Sequence, residues 1–334
     1  MLDERKTAIL RAVVEEYIAT ASPVGSTHIA NAQGVKVSSA TVRNEMAVLE
    51  QEGYLAQPHT SAGRIPTDRG YRFFVDHMVA PGQLDSEASQ QVGAFFDTAH
   101  GRLEELLHQT TNLLAHVTHH AAVVVGPRGE TAVVRSVQVV GLGGRAATVV
   151  AVLSNGTVEN EQIELQGEMS EVRLSAVSAH LQAHLPGRTL DSGRDVPATG
   201  DVELDNVCSI AIQSLATSAA DEPVFVGGAA SMARAFDAVD TVRSVLHTLE
   251  QQYVLVSLVR DVLSRGLSVA IGAEHGVAPL VSCSVIVKPV FVDGEQVGTV
   301  GVLGPTRMDY PQAMATVEVV SDRLGRRLSD GGSN

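Results

Sequence analysis

The apolar residues of this chain change period along its length, and those changes limit what it can fold into. From Asp3 to Thr20, the residues Ile9, Leu10, Val13, Val14, Tyr17 and Ile18 recur at helical spacing with charges between them. That pattern predicts an amphipathic helix ended by Ser22-Pro23. Ser26 is a natural cap for a short second helix reaching about Ala32, and Ser38 for a third that runs from Ser39 to about Glu52 and closes at Gly53. Two short strands, Tyr54–Gln57 and Arg64–Thr67, then flank a polar tip, and a further helix is expected from Asp68 to Met78. Three helices followed directly by a hairpin read as a winged helix-turn-helix.

Pro81-Gly82 marks the first boundary, and an apolar seam from Leu84 to about Thr118 predicts a helix that connects domains or forms a dimer. The period then becomes two. Strands are expected at 121–126, 133–140, 146–153 and 158–165, with Asn155-Gly156 as a hairpin turn. Residues 168–220 read as mostly helical and 242–263 as helical again. Strands recur at 224–226, 267–271, 281–287, 289–292 and 297–303, before a last helix from Pro311 to Leu328 capped by Asp309. The β, α, β order predicts an α+β domain carrying an insertion.

Charge bears on the partner. The chain of 334 residues carries a formal net charge of -14, the wrong sign for a nucleic-acid binder taken as a whole. The acidity is uneven, however: residues 1–80 hold eight Lys and Arg against nine Asp and Glu, and the remainder 16 against 29. Apolar residues at 44% support packed cores, and the longest apolar runs are of strand length, too short to span a membrane. The charged start, Asp3-Glu4-Arg5-Lys6, lacks a secretory pattern, and two distant cysteines give no disulfide framework, so a cytoplasmic protein without membrane attachment is expected.

On the third helix, placing Val42 inward puts Met46 and Leu49 beside it and turns Ala40, Arg43, Asn44, Ala47 and Gln51 outward. Arg pairs with guanine and Asn with adenine in the major groove, while Ser38, Ser39 and Thr41 stand where hydroxyls and free N–H groups receive phosphate. In the hairpin, His59, Thr60, Ser61 and Arg64 are the candidate contacts. The competing readings are a solvated helix face and an ordinary surface hairpin. Gly141 to Ala146 spells G-x-G-x-x-A, but a β-branched strand follows it, so a hairpin loop is expected and no cofactor. His116, His119 and His120 share helical spacing without a fourth ligand nearby, which favours a packed or solvated cluster over a metal site. No nucleophile or acid–base motif suggests an enzyme.

These segments resemble the HrcA family of heat-inducible transcription repressors. The resemblance rests on Pro23-Val24-Gly25-Ser26, on Ser38 through Met46, on Gly53-Tyr54-Leu55, on Gln57 through Thr67, and on Gly301 through Tyr310. It implies a dimeric repressor of chaperone operons that binds an inverted-repeat operator in double-stranded DNA. The implied fold has a winged helix at 1–80, a connecting helix at 81–120, a GAF-like domain from 121–166 and 254–330, and a dimerisation domain inserted at 167–253. The chaperonin GroEL is implied to hold the repressor active until heat-unfolded clients divert it. The sequence departs from the family pattern at Gly227 to Ala230 and at Lys288-Pro289. An alternative keeps the winged helix and places a small-molecule ligand in the GAF-like domain.

Overall fold

The computed structural model describes residues 2–59, 62–78, 84–98, 103–127, 132–154, 157–190, 196–220, 223–236, 238–266 and 268–331. It is a mixed α/β protein whose sheets are antiparallel. Helix α1 (Glu4–Thr20) is capped by Asp3, whose carboxylate accepts the Lys6 N–H at 2.8 Å; that hydrogen bond holds the Asp3 carboxyl below its usual range. Helices α2 (Ser26–Ile29) and α3 (Ser39–Gln51) follow, then strands β1 (Leu55–Ala56) and β2 (Ile65–Pro66), then α4 (Asp68–His77). Ile9, Leu10, Val13 and Val14 of α1 meet Ile29, Val42, Met46, Leu49 and Leu55 in one buried cluster.

The apolar seam at 84–118 forms α5 (Ser86–Thr98) and α6 (Leu103–Thr118). Pro81-Gly82 lies outside the described residues. Val92, Phe96, Leu107 and Leu114 are buried in the same cluster as Val320 and Leu324 of α12 (Tyr310–Gly331). These side chains of the seam pack within the chain.

Strand β3 (Ala121–Val125) joins β7 (Val224–Gly227), β8 (Val269–Ile271), β9 (Cys283–Val292) and β10 (Glu295–Pro305) in a sheet ordered β7-β3-β10-β9-β8. One face packs on α5, α6 and α12, the other on α10 (Val239–Glu250) and α11 (Gln252–Ser264), with short helix α9 (Ala229–Arg234) beside them. Strands β4 (Val134–Gly143), β5 (Ala146–Leu153) and β6 (Val158–Glu164) do not join it. They form a second sheet with α7 (Glu171–His184) and α8 (Val202–Ala220) around a separate core drawn from residues 132–215.

This corrects the expected boundaries. Strands β4–β6 with α7 and α8 fall between β3 and β7, so 133–165 leave the larger sheet, β7 joins it, and α9 and α10 pack against it. Period-two spacing shows that a strand has a buried face but not which sheet buries it. Two smaller expectations also change. The helix expected at 242–263 breaks at Gln251, where φ -90 and ψ 82 leave the helical region. The strands expected at 281–287 and 289–292 are one strand, β9. Pro289 lies beyond the β9 residues that β8 pairs, and its carbonyl accepts from the Ser321 hydroxyl at 2.8 Å, so its missing N–H costs no ladder bond to β8. Gly143 and Gly144, both at positive φ, turn the β4–β5 hairpin rather than opening a helix. Asn155-Gly156 lies outside the described residues.

The exposed edge of β4 is closed by α7. The Val137 N–H donates to Gln182 Oε1 and the Val139 N–H to Ser178 Oγ, each at 2.8 Å, so the middle of this edge is already occupied. Helix α4 ties the N-terminal helices to the larger sheet: Arg72 donates to Glu274 and to the Val269 carbonyl, and Asp68 accepts the Ala273 N–H at 3.2 Å. Burial alone would raise the Glu274 carboxyl, but hydrogen bonds from Arg72 and the Ile271 N–H hold it below the usual range.

Candidate nucleic-acid interface

The sequence sets α3 apart from its first residue. Ser38 is extended (φ -64, ψ 157), and its Oγ accepts the Thr41 N–H at 3.2 Å while lying 3.0 Å from the Thr41 hydroxyl. The helical turn then divides the side chains. Val42, Met46 and Leu49 are buried, whereas Ala40, Arg43, Asn44 and Gln51 are exposed and Ser39 and Thr41 are half-buried. Among the described residues, Arg43 and Asn44 have no ion pair or side-chain hydrogen bond within the chain. Ser38, Ser39, Thr41, Arg43, Asn44 and Gln51 therefore lie together along one helix and its cap. At the other end, Arg69 donates to the Glu52 carbonyl at 2.7 Å with its guanidinium 4.5 Å above the Tyr54 ring, satisfying a helix C-terminus that the sequence reading assigned to Gly53 alone.

The hairpin is three-stranded at its base. Val24 and Arg64 exchange two backbone hydrogen bonds of 2.9 Å, extending the β1–β2 pair by one bridge that the sequence reading missed because a single residue carries no period. Two glycines make the approach possible. A Cβ on Gly63 would lie 2.3 Å from the Val24 carbonyl oxygen, and one on Gly70 would lie 2.2 Å from that of Tyr54. Gly70→Ala is accordingly expected to destabilise the N-terminal helices by about 1–3 kcal/mol, seen as a lower denaturant midpoint followed by circular dichroism.

His59 is exposed at the start of the hairpin tip, as expected for a contact residue, while Thr60 and Ser61 lie outside the described residues. Arg64 differs from expectation. Its side chain is only 18% exposed, its Nη2 sits 2.8 Å from Glu50 Oε2, and its Nε is buried without a hydrogen-bond partner among the described residues. The arginine expected to reach outward is turned in against α3, because a carboxylate stands within reach of the short strand that carries it.

That pairing is one of three. Each acid on α3 and its C-cap meets a base from another element: Glu45 with Arg5 at 3.4 Å, Glu50 with Arg64, and Glu52 with Lys6 at 3.9 Å. Such pairs add little stability at a surface, but they cancel the negative charge along the helix. What remains on this side is Arg43 together with Lys36, an exposed lysine two residues before the cap that the sequence reading passed over. A segment with no net positive charge can thus present a locally positive face.

Known proteins resemble this chain over nearly its whole length. Residues 104–314 match the family model described as HrcA protein C terminal domain. A protein of Acidothermus cellulolyticus named heat-inducible transcription repressor HrcA is 38% identical, covering 99% of this chain and 100% of the relative. Relatives of the same name from Nocardioides sp. and Moorella thermoacetica are each 36% identical, covering 99% and 98% of this chain and 100% and 98% of their own lengths. A crystal structure of a hypothetical protein at 2.2 Å shares the fold, with a TM-score of 0.65 and 23% identity over 99% of this chain and 98% of the other. None of the helices searched among the described residues is long and apolar enough to cross a membrane.

Proposed function

The chain belongs to the HrcA family of heat-inducible transcription repressors, and on that premise we propose that its first four helices and hairpin form a winged helix-turn-helix whose α3 reads the major groove of an inverted-repeat operator. It is a negative regulator of heat-shock genes. The observation that carries the DNA reading is the divided surface of α3, apolar inward and Arg43, Asn44 and Gln51 outward, with the helix's own acids neutralised. Arg43 can pair bidentately with a guanine and Asn44 with an adenine, while Ser38, Ser39, Thr41 and His59 stand where phosphates pass. The reading requires no catalytic group, and a DNA partner places the protein in the cytoplasm.

Two copies would engage two half-sites, their centres set by the helical repeat. The inserted unit supplies the contact between copies: its sheet leaves Val140 42%, Leu142 52% and Val158 36% exposed on β4 and β6. Changing Val140 and Val158 to Asp together should shift the chain from dimer toward monomer in analytical ultracentrifugation and weaken operator binding in parallel. Like-charge repulsion between the acidic remainder and the phosphates confines contact to the N-terminal unit. The chaperonin GroEL is the regulatory partner, holding the repressor in its binding form until unfolded clients occupy it.

The test is a titration of fluorescent inverted-repeat duplex, with and without chaperonin, at growth and heat-shock temperatures. Arg43→Ala is expected to cost about 1–3 kcal/mol and to relax preference at one base position in each half-site. Equal affinity and equal selectivity in the variant would remove α3 from the role given to it.

A further inference from the structure

The three ion pairs along α3 are not equivalent. Arg5 is 57% exposed and Lys6 reaches its acid only at 3.9 Å, whereas the Arg64 side chain is 18% exposed and its pair with Glu50 closes to 2.8 Å. The Arg64 backbone is also fixed across strands, through both hydrogen bonds to Val24. Glu50 lies on the stripe that begins with Arg43 and Ala47, three and four residues apart, so its carboxylate sits at the edge of the face assigned to the groove.

The geometry points to Arg64 as a positioning residue for DNA recognition rather than a DNA contact. It fixes the hairpin to α3 through its guanidinium, sets the angle between the two groove-reading elements, and silences a carboxylate that would otherwise face the phosphates. Both effects act through Glu50. The buried Nε belongs to this arrangement: moving the guanidinium out to a phosphate would break the ion pair and leave Glu50 unpaired at the interface. An arginine in a wing is usually expected to reach DNA; here the surrounding atoms favour a brace. The assignment rests on the winged-helix reading above.

Salt dependence separates a brace from a contact, because each phosphate neutralised contributes about 0.9 to the slope of log K against log salt on duplex DNA. The experiment measures operator affinity from low to moderate salt for the wild-type chain and for Arg64→Gln, Glu50→Gln and the double variant. Arg64→Gln is expected to lose about tenfold in affinity, by exposing the Glu50 carboxylate and loosening the hairpin. Adding Glu50→Gln should return most of that loss, and the slope of the double variant should match the wild type. A slope lower by about one in the double variant would overturn the assignment, since a phosphate contact would then have been removed. So would a tenfold gain in Glu50→Gln alone, which would mean that the released arginine finds a phosphate. Absence of any operator binding by the wild-type chain would overturn the winged-helix reading and this assignment together, whereas a lowered slope with the wild type binding overturns this assignment alone.

Discussion

Leu49→Ala should lower the stability of the N-terminal helices by about 2–5 kcal/mol and take operator binding with it. Leu49 is fully buried on the inner face of α3, in the cluster that joins Ile9, Leu10 and Val13 of α1 to Leu55 of β1. Truncation leaves a cavity where α1, α3 and the hairpin meet, and α3 has little freedom to collapse into it. Its Ser38 cap, its Arg69 C-terminal partner and its three ion pairs all fix its position from outside. The inserted unit has its own core, from Ala132 to Leu215, and should unfold at the wild-type midpoint. Circular dichroism during urea unfolding checks both statements. A single unchanged transition would show that α3 does not pack as described.

The second large effect depends on pH. His120 ends the turn between α6 and β3, against Gly304 and Met308, so close that a Cβ on Gly304 would lie 2.9 Å from its ring. Burial, reinforced by the charge of neighbouring His119, lowers its pKa from the ordinary 6.5 to about 4, with Asp309 opposing only in part. Among the described residues its Nδ1 has no hydrogen-bond partner. Because the folded value lies below the unfolded one, the unfolded chain binds the proton first as the solution is acidified. The stabilising effect of the neutral ring is therefore whole above pH 6.5 and lost as pH falls toward 4, an effect on the order of 3 kcal/mol. His275 acts in the same direction, since burial lowers its pKa too, while its ring bonds the Leu280 and Cys283 carbonyls. His120→Gln should flatten the stability profile between pH 6.5 and 4 without abolishing the slope that His275 contributes. Identical profiles would mean that His120 titrates as an ordinary exposed histidine.

The elements of the N-terminal half were legible in sequence because each is marked by local chemistry. Ser38 caps, Gly53 turns at positive φ, and Val42, Met46 and Leu49 hold helical spacing, all information carried within a few residues. The assignment of strands to sheets was not legible, since β3 and β5 are both built almost wholly of Ala and Val, and only the packed sheets show that β3 is buried on both faces and β5 on one. The break expected between 287 and 289 has a related cause: whether a strand runs on into a proline depends on which side has a neighbour, and that is a property of the sheet. The same limit applies at the interface. Arg43 and Asn44 were found because helix geometry alone turns them outward. Arg64 was misjudged because its direction is decided by Glu50, fourteen residues away on another element. Lys36 and the bases at Arg5 and Lys6 carry no motif, and their contribution emerges only from the way acids and bases pair across α1 and α3.

The most direct test of the central claim is site-specific photo-cross-linking from the outer face of α3. A photoreactive residue at Ala40 or Gln51, both exposed and neither part of an ion pair, should attach to bases in the major groove of each operator half-site. The same group at Phe291, which is exposed on the larger sheet, should attach to none. Cross-links from Phe291 with none from α3 would contradict the account.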